Sequence, residues 1–303
     1  MQEDRIRIPV PPDFDFWRTV QSHGWYVLPP FFLDSSKRVL GRLVQTDRQL
    51  VWLELQTAGR AILAKCRSRL PLSDSDSASI KTQVVRMLRL DQSLQDFHSA
   101  LQLIRGNGDF SWIIHSKAGR LLCGTSLFED LVKMICTTNC SWSATERMVK
   151  NLVSELGTPF TAGICAFPTP QQLASSSERF LAEKVRAGYR SAYLLQLAEQ
   201  VACGQLQLDE LEHLESKPLY QRLISIKGVG PYAAGNLMRL LGHYDNLALD
   251  SWCRQKFQRL HGRRGKSSDH TIEKYYRVFG RWRGLVMWLD LTRDWFEDGA
   301  IPL

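Results

Sequence analysis

The segment Leu223-Ile-Ser-Ile-Lys-Gly-Val-Gly-Pro-Tyr-Ala-Ala-Gly-Asn236 carries two apolar helical patterns separated by the residues Gly-Val-Gly. The glycines end the first helix, and Pro231 suits the first position of the second, where a missing amide hydrogen costs nothing. We therefore predict a helix, a tight turn and a second helix. Glycine at 228 and 230 permits positive φ angles and close approach to another surface. The free amides of the second helix and the charge of Lys227 predict a contact with a phosphate diester.

A carboxylate follows this turn in the segment Asn246-Leu-Ala-Leu-Asp-Ser-Trp-Cys-Arg254. The pattern predicts a helix over residues 251–260, with Asp250 directly before it. Aspartate at this position commonly caps the helix, at a gain of about 1 kcal/mol. The helix dipole also favours the ionised carboxylate, which can face a developing cation. A Gly-x-Gly turn alone is typical of an ordinary helix connection, but the turn and the aspartate together favour chemistry on a nucleic acid.

These two features together resemble the helix-hairpin-helix (HhH-GPD) superfamily of DNA glycosylases, whose members carry this hairpin and an essential aspartate downstream of it. The similarity covers most of residues 75–295, and it looks strongest to the 3-methyladenine glycosylase II and 8-oxoguanine glycosylase branches. Further matching segments are Leu127-Phe-Glu-Asp-Leu-Val-Lys-Met-Ile-Cys-Thr-Thr-Asn139, Gly188-Tyr-Arg-Ser-Ala-Tyr193 and Phe279-Gly-Arg-Trp-Arg-Gly-Leu285. The resemblance implies an α+β fold: a mainly α-helical, two-lobed glycosylase domain preceded by a small antiparallel β-rich domain.

Residues 1–73 differ in pattern from the rest of the chain. Short, partly alternating apolar runs at residues 24–33, 38–44, 49–55 and 59–65 are separated by turn residues, and they predict an antiparallel sheet. The polar run Ser73-Asp-Ser-Asp-Ser-Ala-Ser79 follows, and helical periodicity dominates from Ile80 onward. We predict a β-rich domain over residues 1–73 and a helical glycosylase domain over residues 74–303. A charged surface loop inside one domain would have the same composition.

Composition and charge agree with binding to nucleic acid. The 303 residues carry a formal net charge of +8, and the sequence pI is about 9.2. Residues 217–303 contain 15 Lys and Arg against 8 Asp and Glu, so nearly all of the excess lies around the hairpin and Asp250. This is the electrostatic pattern expected of a DNA-binding surface. The expected partner is double-stranded DNA containing a damaged base, and the expected state is a monomer.

The cysteines and histidines predict neither an iron-sulfur cluster nor a zinc site. Superfamily members with an iron-sulfur cluster hold it with four closely spaced cysteines after the catalytic region, whereas no cysteine follows Cys253 here. Cys136 and Cys140 share a helix face, but small buried side chains are the favoured interpretation. We expect no cofactor beyond a candidate monovalent cation at the hairpin turn. An odd cysteine count, without a signal peptide or a long apolar run, predicts an intracellular protein that does not enter the membrane.

The resemblance implies a role for individual residues. Asp250 is the catalytic candidate, because its carboxylate would face the positive charge that develops on the deoxyribose; whether it also orients or deprotonates the attacking water stays open. Tyr232 and Trp252 match positions that border the base pocket. Asn139 matches an amide that occupies the gap left by the extruded nucleotide, and its alternative is a simple helix end. The expected DNA-binding residues are Lys227, Gly228, Val229, Gly230, Asn139, Arg254 and Lys256.

Tyr232 also predicts the type of reaction. Superfamily members that cut the DNA backbone carry a lysine at the second position after the last glycine of the hairpin, and its amine forms a Schiff base with the sugar. In this sequence that position is Tyr232. We therefore expect a monofunctional glycosylase that uses water and leaves an abasic site.

The aromatic residues indicate which class of damaged base to expect as the substrate. Stacking faces attract a cationic ring, so we favour an alkylated purine. The pair Trp282-Arg283 resembles the alkylation-repair branch, whereas residues 137–139 resemble the 8-oxoguanine branch. A glycosylase for oxidised or deaminated bases and a noncatalytic helix-hairpin-helix DNA-binding module are the alternatives, and Asp250 argues against the latter. Other candidate aromatic residues are Trp25, Tyr26, Trp112, Trp142, Trp282 and Trp288.

Overall fold

A five-stranded antiparallel sheet is formed by the N-terminal part of the chain. The computed structural model describes residues 1–104, 110–262 and 267–297. The strand order in the sheet is β1-β5-β4-β3-β2. Alternate residues of β4 point into the core, so that Val51, Leu53 and Leu55 are buried while their neighbours are partly exposed. The strands are β1 (Gln2–Pro9), β2 (Phe31–Asp34), β3 (Val39–Gln45), β4 (Leu50–Thr57) and β5 (Ala61–Ser68).

The antiparallel sheet is confirmed, with two differences in its strands. The predicted run at residues 24–33 contains a 3-10 helix, Gly24–Val27, before β2 begins at Phe31. β1 was not predicted, although Ile6 and Ile8 alternate with charged residues along it. This strand pairs with β5 through the whole length of both strands, so a partner distant in sequence stabilises it.

Helices dominate the chain from residue 74 onward, as predicted. A short two-stranded sheet, β6 (Pro159–Thr161) and β7 (Ile164–Cys165), interrupts them. The helices are α1 (Phe16–Val20), α2 (Asp74–Leu88), α3 (Gln95–Leu103), α4 (Ser111–His115), α5 (Leu127–Thr137), α6 (Trp142–Leu156), α7 (Pro170–Ala174), α8 (Glu178–Phe180), α9 (Arg190–Ala202), α10 (Leu208–Glu212), α11 (Ser216–Ser225), α12 (Pro231–Leu240), α13 (Ser251–His261), α14 (Asp269–Tyr276), α15 (Arg283–Leu291) and α16 (Arg293–Glu297). None of the described helices is both long and apolar enough to cross a membrane.

The polar run at residues 73–79 is the start of α2 rather than a linker. Ser73 accepts a hydrogen bond from the amide of Asp76, and the Asp76 carboxylate accepts one in return from the amide of Ser73. This capping box satisfies amides that the helix itself leaves free. The sheet and the following helices share one hydrophobic core, so the division into two domains at residue 73 stays a prediction.

The buried residues form two large apolar clusters, which correspond to two lobes. The first joins the sheet to α5, α6, α9, α11 and α12, and the second joins α3 to α13, α14 and α15. The first lobe also contains a buried ion network: Glu129 accepts hydrogen bonds from Arg42 at 2.5 Å and from Lys133 at 2.6 Å. Because Arg42 lies on β3 and Glu129 on α5, this network fixes the sheet against α5.

Candidate active site

The hairpin between α11 and α12 has the predicted shape. Gly228 has a φ of 86°, and a side chain at this position would come within 2.9 Å of Tyr193. Gly230 differs from the prediction, because its φ of −85° and ψ of −176° are extended backbone that any residue can adopt. Val229 is buried and holds the turn, while Lys227 and Gly230 are exposed. Pro231 begins α12 as predicted, which leaves the exposed turn beside the free amides of the helix start.

Asp250 is the N-cap of α13, also as predicted, and its Oδ1 accepts a hydrogen bond of 2.7 Å from the amide of Cys253. The preceding loop is fixed by Arg239, a buried residue of α12. Its guanidinium donates to the carbonyl of Leu247 and to the Asn236 side chain, both at 2.9 Å. The hairpin helix therefore positions the loop that presents the Asp250 carboxylate.

A cavity of about 350 Å³ lies between the two lobes, and Asp250 forms part of its wall. Its size is within the range of small-molecule sites. Aromatic rings dominate the lining, and three of the indoles lie against one another with centroids 5.5–6.0 Å apart. The aromatic lining residues are His23, Trp25, Trp142, Tyr232, Trp252, Trp288 and Trp295.

The structure brings together Tyr232 and Trp252, the two residues that we expected at a base pocket, in the wall of this cavity. Of the other aromatic candidates, Trp25, Trp142 and Trp288 line it too. Trp112 and Trp282 belong to the second lobe and do not line this cavity, and Tyr26 is core of the first lobe. His23 and Trp295 were missed, because neither lies in a segment whose spacing or composition pointed to a site.

Tyr232 keeps its proton in this environment. Burial and the nearby Asp250 carboxylate raise the pKa of the phenol to about 12. Its hydroxyl is therefore neutral at physiological pH, and the phenol is a weak nucleophile in that state.

An exposed edge near the hairpin carries Asn139 and an aromatic ring. Asn139 has a φ of 46°, and its side chain donates to the Tyr189 hydroxyl at 3.4 Å. Tyr189 is 53% exposed, with the Arg190 guanidinium 4.5 Å from the centre of its ring. It also contacts Tyr193, the residue that packs against Gly228. Asn139, Tyr189 and the hairpin turn thus form one continuous surface, which we call the hairpin edge. The sequence offered a signal for Tyr189, since it lies in the segment 188–193 that carries the family resemblance.

Arg254 and Lys256, the two basic residues of α13 that we expected to bind DNA, both form ion pairs within the protein. Arg254 is partly exposed and forms two hydrogen bonds with Asp269, at 2.6 and 2.9 Å. Lys256 is only 5% exposed, and its ammonium donates to Asp294. Because its charge is buried and paired, we do not include Lys256 in the DNA surface proposed below. Among the described residues, no three His, Cys, Asp or Glu side chains are grouped as a metal site would require.

The family model described as "HhH-GPD superfamily base excision DNA repair protein" matches residues 132–281, a range that contains the hairpin, Asp250 and the hairpin edge. The chain belongs to the HhH-GPD superfamily. The predicted α+β fold, an antiparallel sheet followed by a mainly helical part, is thereby confirmed.

Two relatives of this HhH-GPD protein are named as DNA glycosylases. The N-glycosylase/DNA lyase of Saccharomyces cerevisiae is 24% identical over 183 residues, which are 56% of this chain and 48% of that protein, so the chain spans about half of its length. The putative DNA-3-methyladenine glycosylase YfjP of Bacillus subtilis is 23% identical over 232 residues, which are 70% of this chain and 77% of that protein.

Solved structures share the whole fold. The 3-methyladenine DNA glycosylase of Archaeoglobus fulgidus has a TM-score of 0.74 and 19% identity, and the match covers 96% of this chain and 99% of that one. The Clostridium acetobutylicum 8-oxoguanine glycosylase/lyase, in complex with double-stranded DNA containing cytosine opposite 8-oxoguanine, has a TM-score of 0.69 and 18% identity, and covers 95% and 93%.

Proposed function

We propose that this HhH-GPD protein is a monofunctional DNA glycosylase, which rotates an alkylated purine out of duplex DNA and hydrolyses its N-glycosidic bond. One observation carries the proposal: Asp250 lies in the wall of an aromatic cavity, and the buried Arg239 ties its loop to the hairpin helix. A hairpin that holds DNA and a carboxylate beside a base-sized cavity are the two parts that base excision requires. The relatives named as glycosylases support the same activity.

The hairpin edge fits the task of holding distorted DNA. A stacked base is inaccessible, so the nucleotide must leave the duplex at a cost of a few kcal/mol. Contacts of Lys227 and the hairpin amides with phosphates offset this cost without reading the sequence. Asn139 and the exposed Tyr189 ring are suited to occupy the gap that the nucleotide leaves, by hydrogen bonding and by stacking.

Asp250 is suited to assist cleavage electrostatically. Breaking the N-glycosidic bond develops positive charge on the deoxyribose. A carboxylate about 4 Å away, at an effective dielectric constant near 20, stabilises that charge by about 4 kcal/mol, or roughly a thousandfold in rate. The N-terminus of α13 favours the ionised carboxylate that this role needs.

The proposal of a monofunctional enzyme rests on Tyr232. A lyase needs an amine at the sugar, and among the described residues that line the cavity there is no lysine. Lys227 lies before the turn, on its exposed side, where it suits a phosphate. The yeast relative is named as a lyase as well as a glycosylase; in this proposal, Tyr232 excludes the lyase reaction from this chain.

The aromatic cavity supports an alkylated purine as the substrate. A purine methylated on a ring nitrogen is cationic in DNA, and indole faces attract cations by about 0.5–2 kcal/mol each. The putative DNA-3-methyladenine glycosylase of Bacillus subtilis, which is similar in sequence, supports the same class.

The presence of Arg239 in the cavity wall is the observation that favours a second candidate substrate, an oxidised or deaminated base. Its guanidinium lines the cavity and would repel a cationic ring, whereas it would stabilise a neutral base that leaves with negative charge. We rank this candidate second, because the guanidinium already donates hydrogen bonds to Leu247 and Asn236. The Trp288 ring also covers it, with the ring centroid 5.2 Å from the guanidinium carbon.

A panel of duplexes tests the proposal. Methylated DNA and duplexes with single hypoxanthine, 8-oxoguanine or uracil lesions are incubated with the protein, and strand breakage is scored with and without hot alkali. The proposal predicts release of methylated purines and breakage only after alkali. Release of a neutral base alone would favour the second candidate. Breakage without alkali would contradict the monofunctional assignment, and tight binding without release would indicate a noncatalytic module.

A further inference from the structure

His23 is fixed at the cavity by the N-terminal part of the chain, far in sequence from Asp250. It directly precedes the 3-10 helix Gly24–Val27, and its ring is partly accessible and lines the cavity. The neighbouring Ser22 accepts a hydrogen bond from the Leu122 amide at 2.9 Å, and its carbonyl accepts one from the Trp288 indole at 3.0 Å. Gly24 allows Trp142 to pack directly on this segment, because a side chain there would come within 2.4 Å of the indole.

The hydrogen bonding of His23 defines which ring nitrogen carries the proton. Its Nε2 lies 2.6 Å from the carbonyl oxygen of Leu122. A carbonyl oxygen can only accept, so Nε2 is the donor. In the neutral ring the other nitrogen, Nδ1, then carries a lone pair and can only accept a hydrogen bond.

The ring stays neutral at physiological pH. Burial lowers the pKa of His23 to about 3, and the positive charges of Lys133 and Arg239 act in the same direction, while the hydrogen bond to Leu122 only partly opposes them. Lys133 lies on α5 and Arg239 on α12.

The acceptor nitrogen of His23 has no partner among the described residues, whereas several other polar groups at the cavity are paired. The Leu122 carbonyl is bonded to Nε2, and Nδ1 takes part in no hydrogen bond within the described part of the chain, while the ring lines the cavity. By contrast, Thr137 donates to the Met134 carbonyl and Thr145 to the Cys136 carbonyl. The Asn236 side chain is bonded to the protein at both ends.

We propose that Nδ1 of His23 accepts a hydrogen bond from the extruded base, so that the cavity selects bases presenting an amino N–H at this wall. This inference rests on the proposed function and narrows its substrate class to alkylated purines with an exocyclic amino group, such as 3-methyladenine. A base that presents a carbonyl or a bare C–H to His23 leaves the acceptor unpaired in a desolvated site. Sites built on such hydrogen bonds reject ligands that lack the donor.

Two substitutions separate this role from a structural one. Glutamine can keep the donor to the Leu122 carbonyl but has no acceptor at the Nδ1 position, whereas asparagine can place its oxygen near Nδ1 but cannot reach Leu122. The affinities of 3-methyladenine and of 3-methylpurine, which lacks the amino group, are measured at pH 7.5 by quenching of the cavity tryptophans. We expect the wild type to bind 3-methyladenine about tenfold more tightly. This ratio falls to about one in His23→Gln and is retained in His23→Asn.

The outcomes distinguish this inference from the proposed function. Discrimination that survives in His23→Gln, or a wild type that binds both bases equally, overturns the role of His23 and leaves the glycosylase proposal intact. A wild type that binds neither base, and releases none from methylated DNA, overturns the substrate class and this inference together. Because His23→Gln keeps the link to Leu122, its test does not depend on the stability of His23→Asn.

Discussion

Tyr232 is the side chain at which the proposed reaction differs from that of a lyase, and it lies near the catalytic candidate Asp250. Both lie in the cavity wall, and burial together with the carboxylate raises the pKa of the phenol to about 12. Tyrosine at this position therefore contributes an aromatic face and a neutral hydroxyl. In our proposal, the difference between hydrolysis and strand cleavage depends on this one residue.

Tyr232→Lys is expected to introduce covalent chemistry. An amine at this position would lie beside the sugar, and burial would lower its pKa toward the reactive, neutral form. We predict a protein–DNA complex that borohydride traps with Tyr232→Lys, and no trapped complex with the wild type. Tyr232→Phe is the matched control, which keeps the aromatic face without an amine. Trapping of the wild-type protein would contradict the monofunctional assignment.

At the scale of elements, the hairpin depends on one glycine rather than two. Gly228 needs its left-handed backbone and its lack of a side chain, because Tyr193 packs against it. Gly230 is extended and open on its side-chain face. The shape of the turn therefore depends on the close contact between Tyr193 and Gly228.

Gly228→Ala is expected to weaken DNA binding without loss of the fold. A left-handed alanine costs about 1–2 kcal/mol, and its side chain would also displace Tyr193 and the hairpin edge. Gly204→Ala is the control, because Gly204 has a φ of 76° but open space around it. We predict that Gly228→Ala lowers the melting temperature at least as much as Gly204→Ala does, and that Gly228→Ala alone weakens binding of undamaged duplex. Equal affinities in a fluorescence anisotropy titration would show that the turn does not contact DNA.

At the scale of the whole molecule, the sequence predicted what is local and missed what comes together from distant segments. The hairpin, the cap at Asp250 and the strands β3 to β5 follow from spacing, turn residues and alternation over a few positions. The cavity combines His23 with Trp295, which lie near opposite ends of the chain. The strand β1 likewise pairs with β5, to which it is not adjacent in sequence. No short-range periodicity encodes those contacts. The pairing of the buried Lys256 with the partly exposed Asp294 was missed for the same reason.

The ion network between the sheet and α5 predicts a large effect on stability. Glu129→Gln removes the carboxylate that pairs with Arg42 and Lys133, and leaves two buried cations. We expect a loss of about 3–5 kcal/mol in the free energy of unfolding, measured by urea denaturation. Glu183→Gln, which breaks the exposed pair with Arg179, is the control and should cost about 0–1 kcal/mol. Equal losses would contradict the role of the network.

The same ion network predicts that the free energy of unfolding depends on pH. Burial alone would raise the pKa of Glu129, but the Arg42 and Lys133 charges outweigh it and hold the pKa below its ordinary value. The stabilisation is therefore present above the ordinary glutamate pKa and is lost as the pH falls below it. We expect the difference in stability between the wild type and Glu129→Gln to shrink on acidification. A difference that grows on acidification would contradict this assignment.

The most direct test of the account is base release by Asp250→Asn under single-turnover conditions. Asparagine can still cap α13, so the fold and the affinity for methylated duplex should remain unchanged. We predict that release of methylated purines falls by about a thousandfold, because the developing charge on the sugar loses its carboxylate. Release at the wild-type rate, in a folded variant that binds DNA normally, would show that Asp250 only caps its helix and that the proposed mechanism is wrong.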